Sequence, residues 1–349
     1  MLTSAAAHVQ GGFIEDFDVP QWLGGQMNIE GFDLARLLKP VNPEDFFAEY
    51  WERKPLHIQR RDQDYYGNLL SQQDLENIIS STDMRYPAIK LVPKGSNAFY
   101  RPETYTTNFR HGNDVFNGVA DIDKVFAEYR AGATVALPGL EQNWEPLGAM
   151  CRGLESAFDH AVRANVYITA GNSHGFTPHY DPHEVFVLQL AGKKHWRVYD
   201  QPLALPLVSQ PFGGQPFARN YDNPPPPQME IELEAGDLLY LPRGYVHAAA
   251  TSDCFSAHVT IGITVYTWID LAAEMFMSCM GFEQFRGALP PGFASDAGFR
   301  DTLRQGLMKL AEELQKNSDY DKLIDNFTKR VIAGRSRGKG SFQCDVTVP

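Results

Sequence analysis

Cysteine is scarce. The 349 residues hold only Cys151, Cys254, Cys279 and Cys344, and no two form a CxxC pair. A disulfide scaffold and a cysteine-based zinc knuckle are thereby excluded, which leaves reduced, mostly buried thiols. Long apolar runs are missing too: none reaches the roughly 20 residues that a membrane span needs. The opening MLTSAAAHVQGGFIEDFDVP has neither a cationic start nor an apolar stretch, so it does not read as a signal peptide. A cytoplasmic protein with no membrane partner is the expectation. Positive charge is also in deficit, with 31 Lys and Arg against 43 Asp and Glu, a formal net charge of −12. Direct nucleic-acid binding, which draws on a basic face to neutralise phosphates, is not expected. What the chain has is the makings of a packed core, with 43% hydrophobic and 12% aromatic residues and only 21% charged.

The order of patterns is helices, then strands, then helices. Residues 1–27 are mixed and Gly-rich and read as an arm. Asn42-Pro43-Glu44-Asp45 is a helix start that leads into Phe46, Phe47, Tyr50 and Trp51, and Ser71-Gln72-Gln73-Asp74 opens a second helix. Ile122–Tyr129 and Pro146–Ala161 also carry helical periodicity. From Ala164 the period shortens to that of strands: Asn165–Thr169, Glu184–Leu190, Lys194–Tyr199, Met229–Leu233, Asp237–Leu241, Tyr245–Ala249 and Phe255–Thr264. Gly192 reads as the turn between the second and third of these. Pro202–Pro227 is a long Pro- and Gly-rich surface excursion, of the kind that is often functional. Strands at this density predict an antiparallel barrel or sandwich within an α+β fold. Ile269–Met280, Asp301–Lys316 and Asp319–Ala333 return to helix, with Leu303, Leu307, Leu310 and Leu314 at helical spacing, and the tail from Gly334 reads as flexible. The divisions expected are 1–27, 28–267, 268–335 and 336–349.

The sharpest local feature is His179-Tyr180-Asp181, followed by His247 after the turn Pro242-Arg243-Gly244. Residues two apart on a strand share a face, so His179 and Asp181 can grip one ion while His247 arrives from a distant strand. Two imidazoles and one carboxylate on one octahedral face leave three positions open. That suits non-haem Fe(II), which has to accept a co-substrate and O2 together. Each histidine on its own reads equally well as a satisfied buried side chain. Lys194 adds to the set. With a turn at Gly192, Lys194, Trp196 and Val198 share one face and His195 the other, and a lysine aimed into a barrel needs an anionic partner. An inward Lys194 suggests a dicarboxylate co-substrate held at its far end; the bland alternative is that Lys193 and Lys194 form a solvated turn.

Three separated segments carry a family resemblance: FFAEYWERKPLHI, NVYITAGNSHGFTPHYDPHEVFVLQLAGKKHWRVYD and GDLLYLPRGYVHAA. They resemble the JmjC/cupin-like 2-oxoglutarate oxygenases of the ribosomal oxygenase group, over the stretch from Phe32 to Trp268. The resemblance implies a double-stranded β-helix (cupin, jelly-roll) core with N-terminal helices and a C-terminal helical dimerisation region, hence a homodimer. It implies that His179, Asp181 and His247 are the iron ligands. Lys194 would pair with the C5 carboxylate of 2-oxoglutarate, with Thr260 helping, and Asn165 and Tyr167 would line the active site. Members of the group hydroxylate a side-chain carbon of a protein, often a His or Arg of a ribosomal protein, using Fe(II), 2-oxoglutarate and O2. Three departures bear on the target. The group's usual winged-helix domain has no room after these helices, Gly262 stands where a Ser is usual, and Ala136 stands where a polar or basic residue is expected. The rivals are a hydroxylase of a small or precursor peptide, a non-catalytic cupin scaffold, and a metal-dependent cupin enzyme that does not use 2-oxoglutarate. The last is prompted by the crowding of His183 and Glu184 beside the triad.

Overall fold

The computed structural model describes residues 32–317 and 319–335. The expected arm over 1–27 and tail over 336–349 lie outside these residues. Capping sets the first helices. Asp33 accepts from the Arg36 backbone N–H ahead of α1 (Leu34–Leu38). Asn42 does the same for Asp45 ahead of α2 (Pro43–Glu49), where Pro43 fills a first-turn position whose N–H would be unpaired anyway. After β1 (Leu56–Ile58), Ser71 and Asp74 cap each other's backbone at the start of α3 (Gln72–Ser81). Then come β2 (Lys90–Val92), an exposed hairpin of β3 (Thr106–His111) and β4 (Asp114–Ala120), α4 (Ile122–Arg130), β5 (Thr134–Leu137) and α5 (Glu145–Phe158). The strand-rich part comprises β6 (Ala161–Thr169), β7 (Glu184–Val198), β8 (Met229–Glu234), β9 (Leu238–Leu241), β10 (His247–Ala250) and β11 (Ser256–Thr264). Three helices end the described chain: α6 (Trp268–Ser278), α7 (Phe299–Asn317) and α8 (Tyr320–Ala333).

All strand pairings are antiparallel, and β7 organises them. Its first half lies between β9 and β11 in a large sheet that continues through β6, β5 and β2; its second half lies between β8 and β10. One strand therefore serves both sheets of the sandwich. This corrects the turn expected at Gly192, because the chain runs straight through that residue. Gly192 has φ +62°, and a Cβ there would sit 1.8 Å from the Phe255 carbonyl oxygen, so only glycine fits. A bulge opposite Ala257 and His258 accompanies it. Together they shift the strand's phase. Val185 and Val187 face the inner layer before the bulge, and Trp196 and Val198 face it afterwards. The parity argument for Lys194 thus reached the right face by way of a bulge rather than a hairpin.

The first half of β7 is buried on both faces. Phe186 and Leu188 pack outward under the helices, where Phe46 meets Phe186 at 5.6 Å and Tyr240 at 4.9 Å between ring centroids. Each such side chain contributes on the order of 1.5–3 kcal/mol by leaving water. Inward, Val185, Val187, Trp196, Val198, Leu233, Leu239 and Leu241 fill the space between the sheets. The excursion 202–227 is tied down at its aromatic residues. Phe212 meets Tyr180 edge-on at 5.2 Å, the Tyr180 hydroxyl donates to the Gln210 carbonyl at 2.7 Å, and Tyr221 donates to Asp200. No described helix is long and apolar enough to cross a membrane. Cys151 and Cys279 are buried and Cys254 is partly exposed, all as free thiols; Cys344 lies outside the described residues.

Candidate active site

His179 and Asp181 do not lie on a regular strand, contrary to expectation. They belong to an extended segment before β7 that is pinned to the start of β10 by the pair His179–His247. The His179 N–H donates to the His247 carbonyl at 3.1 Å, and the His247 N–H returns to His179 at 2.8 Å. That double bond sets the two imidazoles 4.7 Å apart. His179 Nε2 lies 3.9 Å from one Asp181 oxygen and His247 Nε2 3.7 Å from the other. The ligand atoms of all three residues fall within 4.8 Å of one another, a spacing one metal ion can bridge.

Tautomers follow from the backbone. His179 Nδ1 is 2.8 Å from the Thr177 carbonyl and His247 Nδ1 is 3.0 Å from the Tyr245 carbonyl. A carbonyl only accepts, so both Nδ1 atoms carry the proton and both Nε2 atoms turn a lone pair toward Asp181. Burial, with the His179 charge beside it, lowers His247 to about 4 against the pull of Asp181. That keeps it neutral, as a metal ligand must be. Burial alone would raise Asp181, but the imidazoles of His183, His179 and His247 outweigh it and hold the carboxyl below its ordinary range. Such a donor set, two imidazoles and a carboxylate, fits a divalent metal.

The triad opens into a cavity of about 400 Å³ that Asn165, Tyr167, Lys194 and Thr260 also line. Every site residue expected from the sequence therefore comes to one place. Lys194 is 2% exposed, and its Nζ donates to Thr169 Oγ1 at 2.9 Å. No carboxylate pairs with it among the described residues, and burial drives its pKa down to about 7. Lys193 points the other way, to the surface, where Glu232 and Glu234 take it; the two lysines are not a solvated turn. Glu184 is likewise turned off the triad, toward Tyr240 and Arg243, so of the pair that crowds the triad in sequence only His183 stays beside it. His183 lines the cavity but stands outside the group of three ligands.

Sequence reasoning missed three neighbours. Thr169 holds Lys194 and is itself 3.0 Å from Thr134 Oγ1. His258 lies under Tyr167, with ring centroids 5.3 Å apart, and burial together with the Lys194 charge holds it well below the usual imidazole range. Strand parity with Thr260 and Tyr167 was the available signal for His258 and Thr169 respectively. Ala136, one of the departures, is buried opposite Tyr167 in the β5–β6 register. Among the described residues the buried His258 Nδ1 and Trp196 Nε1 have no hydrogen-bond partner, although both side chains line the cavity. With the unpaired Lys194, they are what a polar guest would satisfy.

An antiparallel sandwich with two imidazoles and a carboxylate converging inside it defines a cupin-type metal-binding domain. Residues 141–271 match the JmjC domain family. The chain is 32% identical to "Ribosomal oxygenase 1" of Danio rerio over 318 residues, covering 85% of this chain and 55% of that protein. It is 34% identical to "Bifunctional lysine-specific demethylase and histidyl-hydroxylase NO66" of Culex quinquefasciatus over 310 residues, 82% of this chain and 45% of that one. Among solved structures, a ribosomal oxygenase from Escherichia coli in complex with cobalt and 2-oxoglutarate aligns at TM-score 0.49 and 16% identity, over 83% of this chain and 71% of that one. This chain is a ribosomal-oxygenase-like JmjC protein. It spans about half the length of the curated relatives it matches.

Proposed function

We propose that this protein is a cytoplasmic Fe(II)- and 2-oxoglutarate-dependent oxygenase that hydroxylates a side-chain carbon of a protein or peptide. One atom of O2 enters the substrate C–H bond and the other enters succinate, with release of CO2. The single observation that carries the reading is Lys194, a buried cation without a carboxylate, sharing one cavity with the three-residue ligand set. Iron, held by His179, Asp181 and His247, supplies the activation of O2 that no side chain can perform. Lys194, braced by Thr169, takes the remote carboxylate of the co-substrate. Thr260, Asn165 and Tyr167 line its bed, and the carbonyls of Thr177 and Tyr245 keep the imidazoles in the ligating tautomer. Phe176, Trp196 and Phe212 wall the cavity and limit water. A binding scaffold has no use for a ligand set that leaves positions open, and a cupin without 2-oxoglutarate has no use for Lys194.

The names of the relatives support a protein substrate, with a His or Arg of a ribosomal protein leading and a small or precursor peptide second. The helices from Trp268 onward are read as a dimerisation region. Phe276, Met277, Leu307 and Met308 are each more than half exposed on α6 and α7, an apolar face of the kind a second copy covers. A solution mass of one chain would contradict that. The enzyme reading is tested by succinate formation: wild type releases it from 2-oxoglutarate only with iron, and His179→Ala and Asp181→Ala release none. Iron-dependent succinate from either variant would sink the assignment.

A further inference from the structure

The net charge of −12 is not spread evenly along the chain. Residues 84–113 carry Arg85, Lys90, Lys94, Arg101 and Arg110 against one acid, Glu103. They span β2, the loops around it and the first strand of the β3–β4 hairpin, and all of these cations but Lys90 are exposed. Arg85, Lys90, Arg101 and Arg110 enter no ion pair among the described residues, whereas Lys124 in α4 is taken by Asp121.

Aromatic rings alternate with these cations. Phe99 lies 6.5 Å from Phe176, which walls the metal cavity. The Lys90 ammonium stands 4.7 Å from the Phe99 centroid and 5.9 Å from that of Tyr86. The Tyr86 N–H donates to the Gly118 carbonyl at 2.9 Å, which ties it to the hairpin. There the Arg85 guanidinium lies 4.9 Å over Phe116, and Phe116 stacks on Phe109 at 4.9 Å. One track therefore runs from the cavity mouth to the hairpin, which forms a two-stranded sheet of its own. The cross-strand Phe109–Phe116 pair stabilises that hairpin. It does not account for Tyr86 and Phe99, which are 45% and 47% exposed and belong to none of the core clusters.

Open ring faces set between unpaired cations match a ligand that offers flat faces and anionic links in alternation. A single-stranded polynucleotide does so, with its bases stacked on the rings and its phosphates drawn to the cations. A duplex keeps its base faces stacked on one another, and an acidic peptide uses the cations but brings no flat groups for the rings. Thr107, Asn113 and Asn117, exposed on the hairpin, offer partners to a ribose 2′-hydroxyl. We propose that the surface from Phe99 through Lys90 and Tyr86 to the β3–β4 hairpin binds single-stranded RNA, against the expectation drawn from net charge. The strand lies beside the entrance to the metal cavity, and its binding is independent of the oxygenase reading.

The test uses the whole protein and a fluorescein-labelled RNA dodecamer of randomised sequence, followed by fluorescence polarisation. The RNA binds with a dissociation constant of about 1–100 µM at physiological salt. With about four phosphates neutralised, affinity falls about 50-fold over a fourfold rise in salt. Phe99→Ala weakens binding about tenfold and leaves the salt dependence unchanged, as loss of a stacking platform does. Arg85→Gln combined with Arg110→Gln weakens binding and cuts the salt slope by about half. Lys309→Gln, which removes an exposed cation on α7, changes neither. DNA of the same length, duplex RNA and a peptide of alternating Glu and Ser all bind more weakly. No binding of the RNA, equal or tighter binding of any of those three, or a Phe99→Ala protein that binds like wild type overturns the inference. So does a loss in Lys309→Gln as large as in the arginine pair. Every one of these outcomes leaves the oxygenase reading untouched.

Discussion

Among the described residues two cations, Arg243 and Lys194, are buried in this barrel, and they are handled in opposite ways. Arg243 is 4% exposed, and its guanidinium meets Glu184 at 2.9 Å and also Glu52, with the Tyr240 hydroxyl closing the second Glu184 oxygen at 2.5 Å. Lys194 is 2% exposed and meets a threonine hydroxyl. Both sit where a lone charge is costly. The arginine's partners are written into the chain, so it is part of the architecture, tying the start of β7 to the loop before β10 and to Glu52. Among the described residues no carboxylate partners the lysine, so its position is explained by something that arrives. Burial of a charge is therefore not by itself a sign of function in this fold; burial without a counter-ion is.

The largest expected effect strikes the architectural cation. Arg243→Met strands Glu184 and Glu52 and costs about 3–5 kcal/mol of stability, read from chemical denaturation. A change below about 1 kcal/mol would erase the contrast. Lys194→Met reverses the pattern. The ligand-free protein is at least as stable as wild type, while the dissociation constant for 2-oxoglutarate rises about 100-fold, within the range for stranding one partner of a buried charge pair. A destabilised protein with unchanged 2-oxoglutarate affinity would place Lys194 beside Arg243 as structure. The third effect is smaller and sharpens the second. Lys194 has its native pKa near 7 without ligand, below the ordinary lysine value of 10.5. The unfolded chain binds the extra proton between those values, so stability of the ligand-free wild type rises with pH across that window, and the penalty is complete below about 7. For the same reason 2-oxoglutarate, which needs the charged amine, binds about tenfold more weakly for each pH unit above 7. An affinity flat between pH 7 and 9 in wild type would contradict this.

Much of this contrast could be read from the chain. The triad came from the spacing of His179 and Asp181 and the turn before His247, and Lys194 from its phase relative to Trp196 and Val198. What could not be read was pairing across distance. Thr169 reaches Lys194 because β6 and β7 flank β11, and His258 enters the cavity for the same reason; nothing near either residue announces that register. Gly192 was misread because an isolated glycine signals a turn as readily as a bulge. The apolar alternation on both sides of it, together with β-propensity on both flanks, was the clue that the strand continued. Glu184, by contrast, crowds the same segment as His179, Asp181 and His183 in sequence without sharing their face. In a strand, neighbours face opposite ways, and Glu184 faces Tyr240 and Arg243.

In the proposed reading His179, Asp181 and His247 hold the iron and Lys194 takes the far end of 2-oxoglutarate. The most direct measurement is an anaerobic titration of the Fe(II)-loaded protein with 2-oxoglutarate, followed by visible charge-transfer absorption. Wild type develops a band that saturates at one 2-oxoglutarate per chain, Lys194→Met needs far more ligand to reach it, and Asp181→Ala shows none. No band in wild type, or the same band in Asp181→Ala, would contradict the account.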